Sequence, residues 1–322
     1  MFSLGMLVDW SGNDVYRAEN FAIGSGFCGV GVLYDNSGDD RYLGDTFVQG
    51  AGAFGLGVLY DNSGRDIYQA AYLSQAFGFT GGAGLLVDRH GNDNYIAGDK
   101  YSDVLRYDNH YLSLSQGFGY GKRPFLSGGI GGLIDLEGND TYKADIFGQG
   151  ASYWRALGFI YDKSGNDQYA AHQYAQGAAA HMTLGALIDE AGDDFYRSKG
   201  VSQGCGHDYA LGILSDRAGN DVYHAVDLSQ GAGSANGVGI LSDVAGDDRY
   251  LIGDSANTHG YGNPRREFGS IGLLLDLDGA DMYDGAGADN RVWRVRGKWG
   301  GGLDCNWREW FGLSPPEVEE QP

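Results

Sequence analysis

The chain has 322 residues, with 57 glycines, only 5 prolines, 13% aromatic residues and a formal net charge of −21. That charge argues against nucleic acid and anionic membrane as partners, which call for a basic face, and points to cations instead. The three cysteines, Cys28, Cys205 and Cys305, are too few and too far apart for a disulfide framework or a zinc site and read as free thiols. No apolar run approaches the roughly 20 residues that cross a bilayer, and no basic segment followed by an apolar one opens the sequence.

One unit recurs from the first residues onward: Gly-x-(Leu/Ile)-x-Asp-x-x-Gly-x-Asp-x-Tyr. Its first aspartate falls at Asp9, Asp35, Asp61, Asp88, Asp135, Asp162, Asp189, Asp216, Asp243 and Asp276. The second falls at Asp14, Asp40, Asp66, Asp93, Asp140, Asp167, Asp194, Asp221, Asp248 and Asp281, and a tyrosine closes every copy from Tyr16 to Tyr283. Most copies are 26 or 27 residues apart; two intervals stretch to 47 and 33. Between the tyrosine and the next copy, Gln49, Gln75, Gln116, Gln149, Gln176, Gln203 and Gln230 keep one phase.

Each repeat therefore offers three short extended pieces, such as GVGVLY, DRYLG and TFVQGAG, separated by Gly- and Asp-rich turns, with no competing helical period. Repeats of this length and content predict an all-β fold, a three-sided right-handed parallel β-solenoid of about ten coils of ~27 residues over residues 1–289. In that fold each repeated residue becomes a ladder along the axis. The Leu/Ile series from Leu7 to Leu274 and the tyrosines are expected to face inward. The strand glycines let a corner approach closely, and the glutamines pass amide hydrogen bonds from coil to coil.

Stacked aspartates repel, by roughly 1 kcal/mol per pair in water and several-fold more near a protein surface, so something must compensate. One reading is an Asx-turn, in which the first aspartate caps nearby backbone amides. The other is a hard divalent cation, which seeks oxygen-rich acidic turns. The half-repeats GNDVY, GDDRY and GNDNY resemble the Gly-x-Asp-x-apolar half of the RTX calcium-binding nonapeptide. The likeness is partial: RTX units run in tandem and begin with Gly-Gly, whereas here one turn recurs every 27 residues. What the resemblance implies is Ca2+ at the second aspartates named above, from Asp14 to Asp281, with the first aspartates as partners.

Function is expected where the repeat breaks, since repeated positions serve the scaffold. Insertions at about 98–125 and 252–268 carry Lys122 and Arg123 in one and Arg265 and Arg266 in the other. Between them the corner after the glutamine gathers Tyr120, Tyr153, Trp154, His181, His207, Asp208 and Asn263. His181 and Asp208 lie five residues after their glutamines on adjacent coils, which sets their Cβ atoms about 5 Å apart. This pattern suits a groove for a glycan or other surface ligand, with Tyr120, Trp154, Lys122, Asn263 and Arg266 in contact with it.

The enzyme alternative is a polysaccharide lyase or hydrolase. There His181 or His207 is the base, Asp208 orients His181, Arg123 or Arg265 neutralises a uronate, and Tyr153 adds a stacking surface. A purely structural spacer is the third reading, and an extracellular or cell-surface setting is the expectation for the first two. Residues 290–322, with Trp293, Trp299, Trp307 and Trp310, read as a C-terminal cap and polar tail. The N-terminal edge, with four residues before the first repeat, is expected to be covered by a missing domain or another chain.

Overall fold

The computed structural model describes residues 2–253, 257–265, 269–295 and 299–307. It is an all-β rod, a parallel β-solenoid of eleven coils. The Gly-x-Leu strands, from Leu4–Val8 to Ile271–Asp276 and on to Gly300–Asp304, pair in parallel to form the first sheet. The tyrosine strands, from Val15–Arg17 to Met282–Tyr283, form a ten-stranded second sheet. Two-residue strands after the glutamine corner, from Gly26–Phe27 to Gly262–Asn263, make the third face, bridged through Gly78. At about 4.8 Å per coil the rod is on the order of 50 Å long.

Register follows the repeat without slippage. Leu33 pairs with Leu59, Leu133 with Ile160 and Leu241 with Leu274, and all of them are buried. The tyrosines from Tyr42 to Tyr250 are wholly buried and stack nearly parallel, with ring centroids 4.7–5.0 Å apart. Side chains of one type on one face are thus in contact from coil to coil; one core cluster is built on two columns, leucine and tyrosine, side by side, and a second runs through Ala51, Phe77, Phe118, Ala151, Ala178 and Cys205.

Close approach explains the glycines. A Cβ on Gly57 would lie 2.1 Å from the Ala51 carbonyl oxygen, so the first sheet can pack against the glutamine corner only without one. In the aspartate turn, a Cβ on Gly165 would lie 1.5 Å from the Gly138 oxygen one coil below.

The glutamines behave differently from the expected amide ladder. Each side-chain nitrogen donates to two backbone carbonyls, one in its own coil and one in the next: Gln149 Nε2 reaches Tyr142 O at 2.9 Å and Ala170 O at 3.0 Å. Glutamine to glutamine bonding is replaced by clamping of backbone because the residue sits at positive φ (51° at Gln149), which aims its amide across the corner. Ile23 and His259 take this position in the first and ninth coils with the same backbone geometry.

The 47-residue interval leaves the rod at two corners, not one. Tyr95 and Gln116, bonded as in the other coils that carry the glutamine, are 21 residues apart where the usual separation is 7. The extra chain forms an antiparallel hairpin of Ser102–Asp103 with Tyr107–Ser115. A second excursion, residues 121–128, follows the third face and is closed by a Lys122–Leu126 bridge.

At the C-terminal end, Gly300–Asp304 adds an eleventh rung in which Gly302 stands at the leucine position. Trp293, on an antiparallel strand Val292–Arg294, lays its indole where a Gly302 side chain would be, packs against the core and meets Tyr283 edge-on at 5.4 Å. Trp299 is exposed, and Trp310 lies outside the described residues. At the other end the Leu4–Val8 edge is bare, with Leu4 71% and Met6 64% exposed. Cys28, Cys205 and Cys305 are free thiols.

Candidate functional site

Two arrangements carry chemistry. The first is the aspartate array. Seven of the ten first aspartates, Asp9, Asp35, Asp61, Asp88, Asp189, Asp216 and Asp243, do what an Asx-turn requires, as where Asp61 Oδ1 accepts the Ser63 amide at 3.1 Å; Oδ1 of Asp135, Asp162 and Asp276 is buried without a partner. The other oxygen accepts the tyrosine hydroxyl of the preceding coil, as in Tyr42 to Asp61 at 2.5 Å and Tyr196 to Asp216 at 2.7 Å. Each second aspartate uses Oδ1 to accept the amide of its equivalent one coil below; Asp140 N reaches Asp167 Oδ1 at 2.6 Å.

The remaining oxygen is the anomaly. Oδ2 of Asp40, Asp66, Asp93, Asp140, Asp167, Asp194, Asp221, Asp248 and Asp281 is buried and accepts no hydrogen bond. The second aspartates belong to buried triads such as Asp61, Asp66 and Asp88, in which one carboxylate oxygen from each residue lies within 4.8 Å of the others. Burial, reinforced by the Asp61 charge, pushes Asp66 up to about 8, and burial with the Asp135 charge pushes Asp140 up to about 9. An array this dry and this acidic calls for one positive partner per coil, a proton or a cation. Asp14, in the bare first coil, is half-buried and gives its amide to Asp40.

The second arrangement is on the third face. Strand pairing sets Tyr120, Tyr153, Ala180, His207, Ser234 and Asn263 in one column. One residue on, the chain turns through positive φ at Trp154, His181 and Asp208, which brings their side chains together at the corner. His181 Nδ1 is 2.6 Å from Asp208 Oδ2. Arg123, carried by the 121–128 excursion, has Nη1 3.3 Å from the same imidazole and lies over the Trp154 ring at 5.5 Å. Tyr153 meets His181 edge-on at 4.9 Å, and His207 lies 6.0 Å from it.

These residues, from four successive coils, form one patch. Arg155, absent from the sequence reading, joins it by covering Trp154 at 5.3 Å; only the turn geometry reveals it, since its neighbours carry no repeated type at that position. Tyr120 stacks between Phe79 and Tyr153 at 5.8 Å from each. With Tyr153 it walls a cavity of about 250 Å³ roofed by Val104, Leu105 and Arg106 of the hairpin.

Not all the expected members converge. Asn263, bonded to Ser234 Oγ at 3.0 Å, and exposed Arg265 lie five coils beyond Tyr120, about 24 Å along the axis. The two basic loops leave the same corner of the rod but do not flank one small site. Lys122 is exposed beside Arg123, and Arg266 lies outside the described residues.

The fold makes the chain a repeat protein of the parallel β-solenoid class. No protein-family model matches it, and comparisons with curated proteins and with solved structures return no match.

Proposed function

We propose that the protein is a binding module: a stiff β-solenoid, neutralised internally by calcium, that presents its third face to an acidic glycan. The observation that carries this reading is the patch built by Arg123, Tyr153, Trp154, His181 and Asp208. Aromatic faces stack on sugar rings, and guanidinium groups pair with uronate carboxylates. Arg123 and Arg155 lie over the buried Trp154 indole, which holds the two guanidinium groups in place, and half-buried Tyr153 is the aromatic face beside them; within a protein of charge −21 the acidic groups of a ligand there meet local positive charge.

Calcium fits the array on chemical grounds. A hard cation takes six to eight oxygens, and each triad offers three carboxylates whose hydrogen-bonded oxygens retain a second lone pair. The orphaned Oδ2 of each second aspartate is the natural first donor. A calcium-rich extracellular or cell-surface setting is part of the proposal.

The test is titration with oligouronates and with neutral oligosaccharides of equal length. The acidic series is expected to bind, and Arg123→Ala to weaken it at least tenfold. Equal binding of both series, or of neither, would sink the reading.

A lyase reading has one specific support, the 2.6 Å bond between Asp208 and His181 next to Arg123, the arrangement of an oriented base beside a carboxylate-neutralising cation. Ultraviolet absorbance of an unsaturated product from an oligouronate separates the two readings: steady growth indicates a lyase, and none indicates a binder.

A further inference from the structure

The first insertion also completes a second cluster, on the opposite side of the glutamine corner. His110 comes from the hairpin, Asp145 from the fifth coil and His172 from the sixth. One ring nitrogen from each histidine and one Asp145 oxygen all lie within 4.8 Å of one another. We propose that His110, Asp145 and His172 bind a divalent transition metal of the zinc type and thereby fasten the hairpin to the rod.

The two imidazoles are stacked with centroids 3.5 Å apart and planes 22° from parallel. The stacking holds the two rings side by side next to Asp145, and a neutral imidazole is the form that ligates metal. His172 is half-buried, and its Nε2 is enclosed without a hydrogen-bond partner. Asp145 supplies the negative charge, already oriented by His110 Nδ1 at 2.7 Å and the Tyr111 amide at 2.6 Å.

The donor set decides the metal. Two imidazoles and one carboxylate suit zinc and its neighbours, whereas the all-oxygen aspartate triads suit calcium, so the two sites select different ions. Three protein ligands leave a coordination position open. The three residues line a cavity of about 510 Å³ walled in part by Lys143, Arg197 and Lys199, which favours water, hydroxide or another small oxygen anion as the fourth ligand. Lys199 opposes the metal's charge, but its ammonium is directed to the Tyr107 hydroxyl at 2.9 Å and lies over that ring at 4.6 Å.

The experiment is zinc titration of the chelator-stripped full chain held in excess calcium, which occupies the oxygen sites. Wild type is expected to bind one equivalent more than His110→Ala/His172→Ala, and zinc to slow tryptic cleavage after Arg106 only in wild type. Cobalt(II) gives a second readout, with intense visible bands of a four-coordinate site in wild type that the variant lacks. Should the double variant misfold, His110→Gln alone, which changes only the hairpin, is expected to lose the same equivalent. Equal zinc stoichiometry in wild type and a folded variant, or no zinc bound by wild type, overturns the proposal.

Discussion

Replacing one inner carboxylate by its amide, Asp140→Asn, separates the forces in the aspartate array. The amide oxygen still accepts the Asp93 amide that Asp140 Oδ1 accepts at 2.5 Å, while an NH2 group replaces the orphaned Oδ2 and one charge is removed. Asp140 is raised from 3.8 to about 9 by burial and the Asp135 charge. A raised carboxyl holds its proton more tightly folded than unfolded, so its contribution to stability is full below 3.8 and is lost as pH rises toward 9. At 1.36 kcal/mol per pH unit, the loss by pH 8 is at most about 6 kcal/mol, and less after relaxation.

In chelator at pH 8, the asparagine variant is therefore expected to melt above wild type by up to about 10 °C, using roughly 2 °C per kcal/mol for a chain of this size. The gain shrinks toward zero near pH 4. In excess calcium the order reverses, because the variant has lost a ligand. Calorimetry at the two pH values, with and without calcium, reads both effects. A variant less stable than wild type in chelator at pH 8 would refute the claim that these carboxylates are uncompensated. Indifference of wild type to calcium would refute the cation.

Three further outcomes are expected. Tyr169→Phe removes the hydroxyl that reaches Asp189 at 2.9 Å and Asp162 at 3.1 Å, and it should cost about 1–3 kcal/mol by denaturant unfolding, since it strips a donor from buried carboxylates. Gly165→Ala places a methyl 1.5 Å from the Gly138 oxygen, at φ 158°, and should destabilise by more than about 4 kcal/mol, measured the same way; a loss under about 1 kcal/mol would show that adjacent coils slide apart easily. Leu4→Lys with Met6→Lys charges the bare first strand and should reduce concentration-dependent association in sedimentation, without altering the melt.

The solenoid was legible because its evidence is redundant: ten copies of one pattern fix coil length, register and the inward columns together. Legibility ended where residues from different coils meet. The tyrosine hydroxyl and its aspartate are about 20 residues apart, and nothing within a single repeat indicates that the partner lies in the following coil rather than its own. The split of the long interval between two corners was hidden because sequence spacing counts residues, not where the chain leaves the rod. The eleventh rung was hidden because its inward position holds no leucine: Gly302 leaves the space, and Trp293, nine residues earlier, fills it. On the third face, phase alone brought His181 to Asp208, yet Arg123 reached them from two coils away through a loop whose path no periodicity encodes.

The coil-to-coil bonds of the array run one way. From Asp14 to Asp248, each second aspartate gives its amide to the coil that follows, and the tyrosines from Tyr16 to Tyr250 give their hydroxyls in the same direction. At the far end Asp289 receives the Asp281 amide, and Asp276 receives the hydroxyl of Tyr283 as well as that of Tyr250. The rod is therefore vectorial. A chain made from its N-terminus always carries one unfinished coil at its growing tip, whose donors wait for carboxylates not yet synthesised. Truncation is correspondingly lopsided: a cut on the C-terminal side strands a buried hydroxyl and an amide, whereas a cut on the N-terminal side bares carboxylates that water solvates readily.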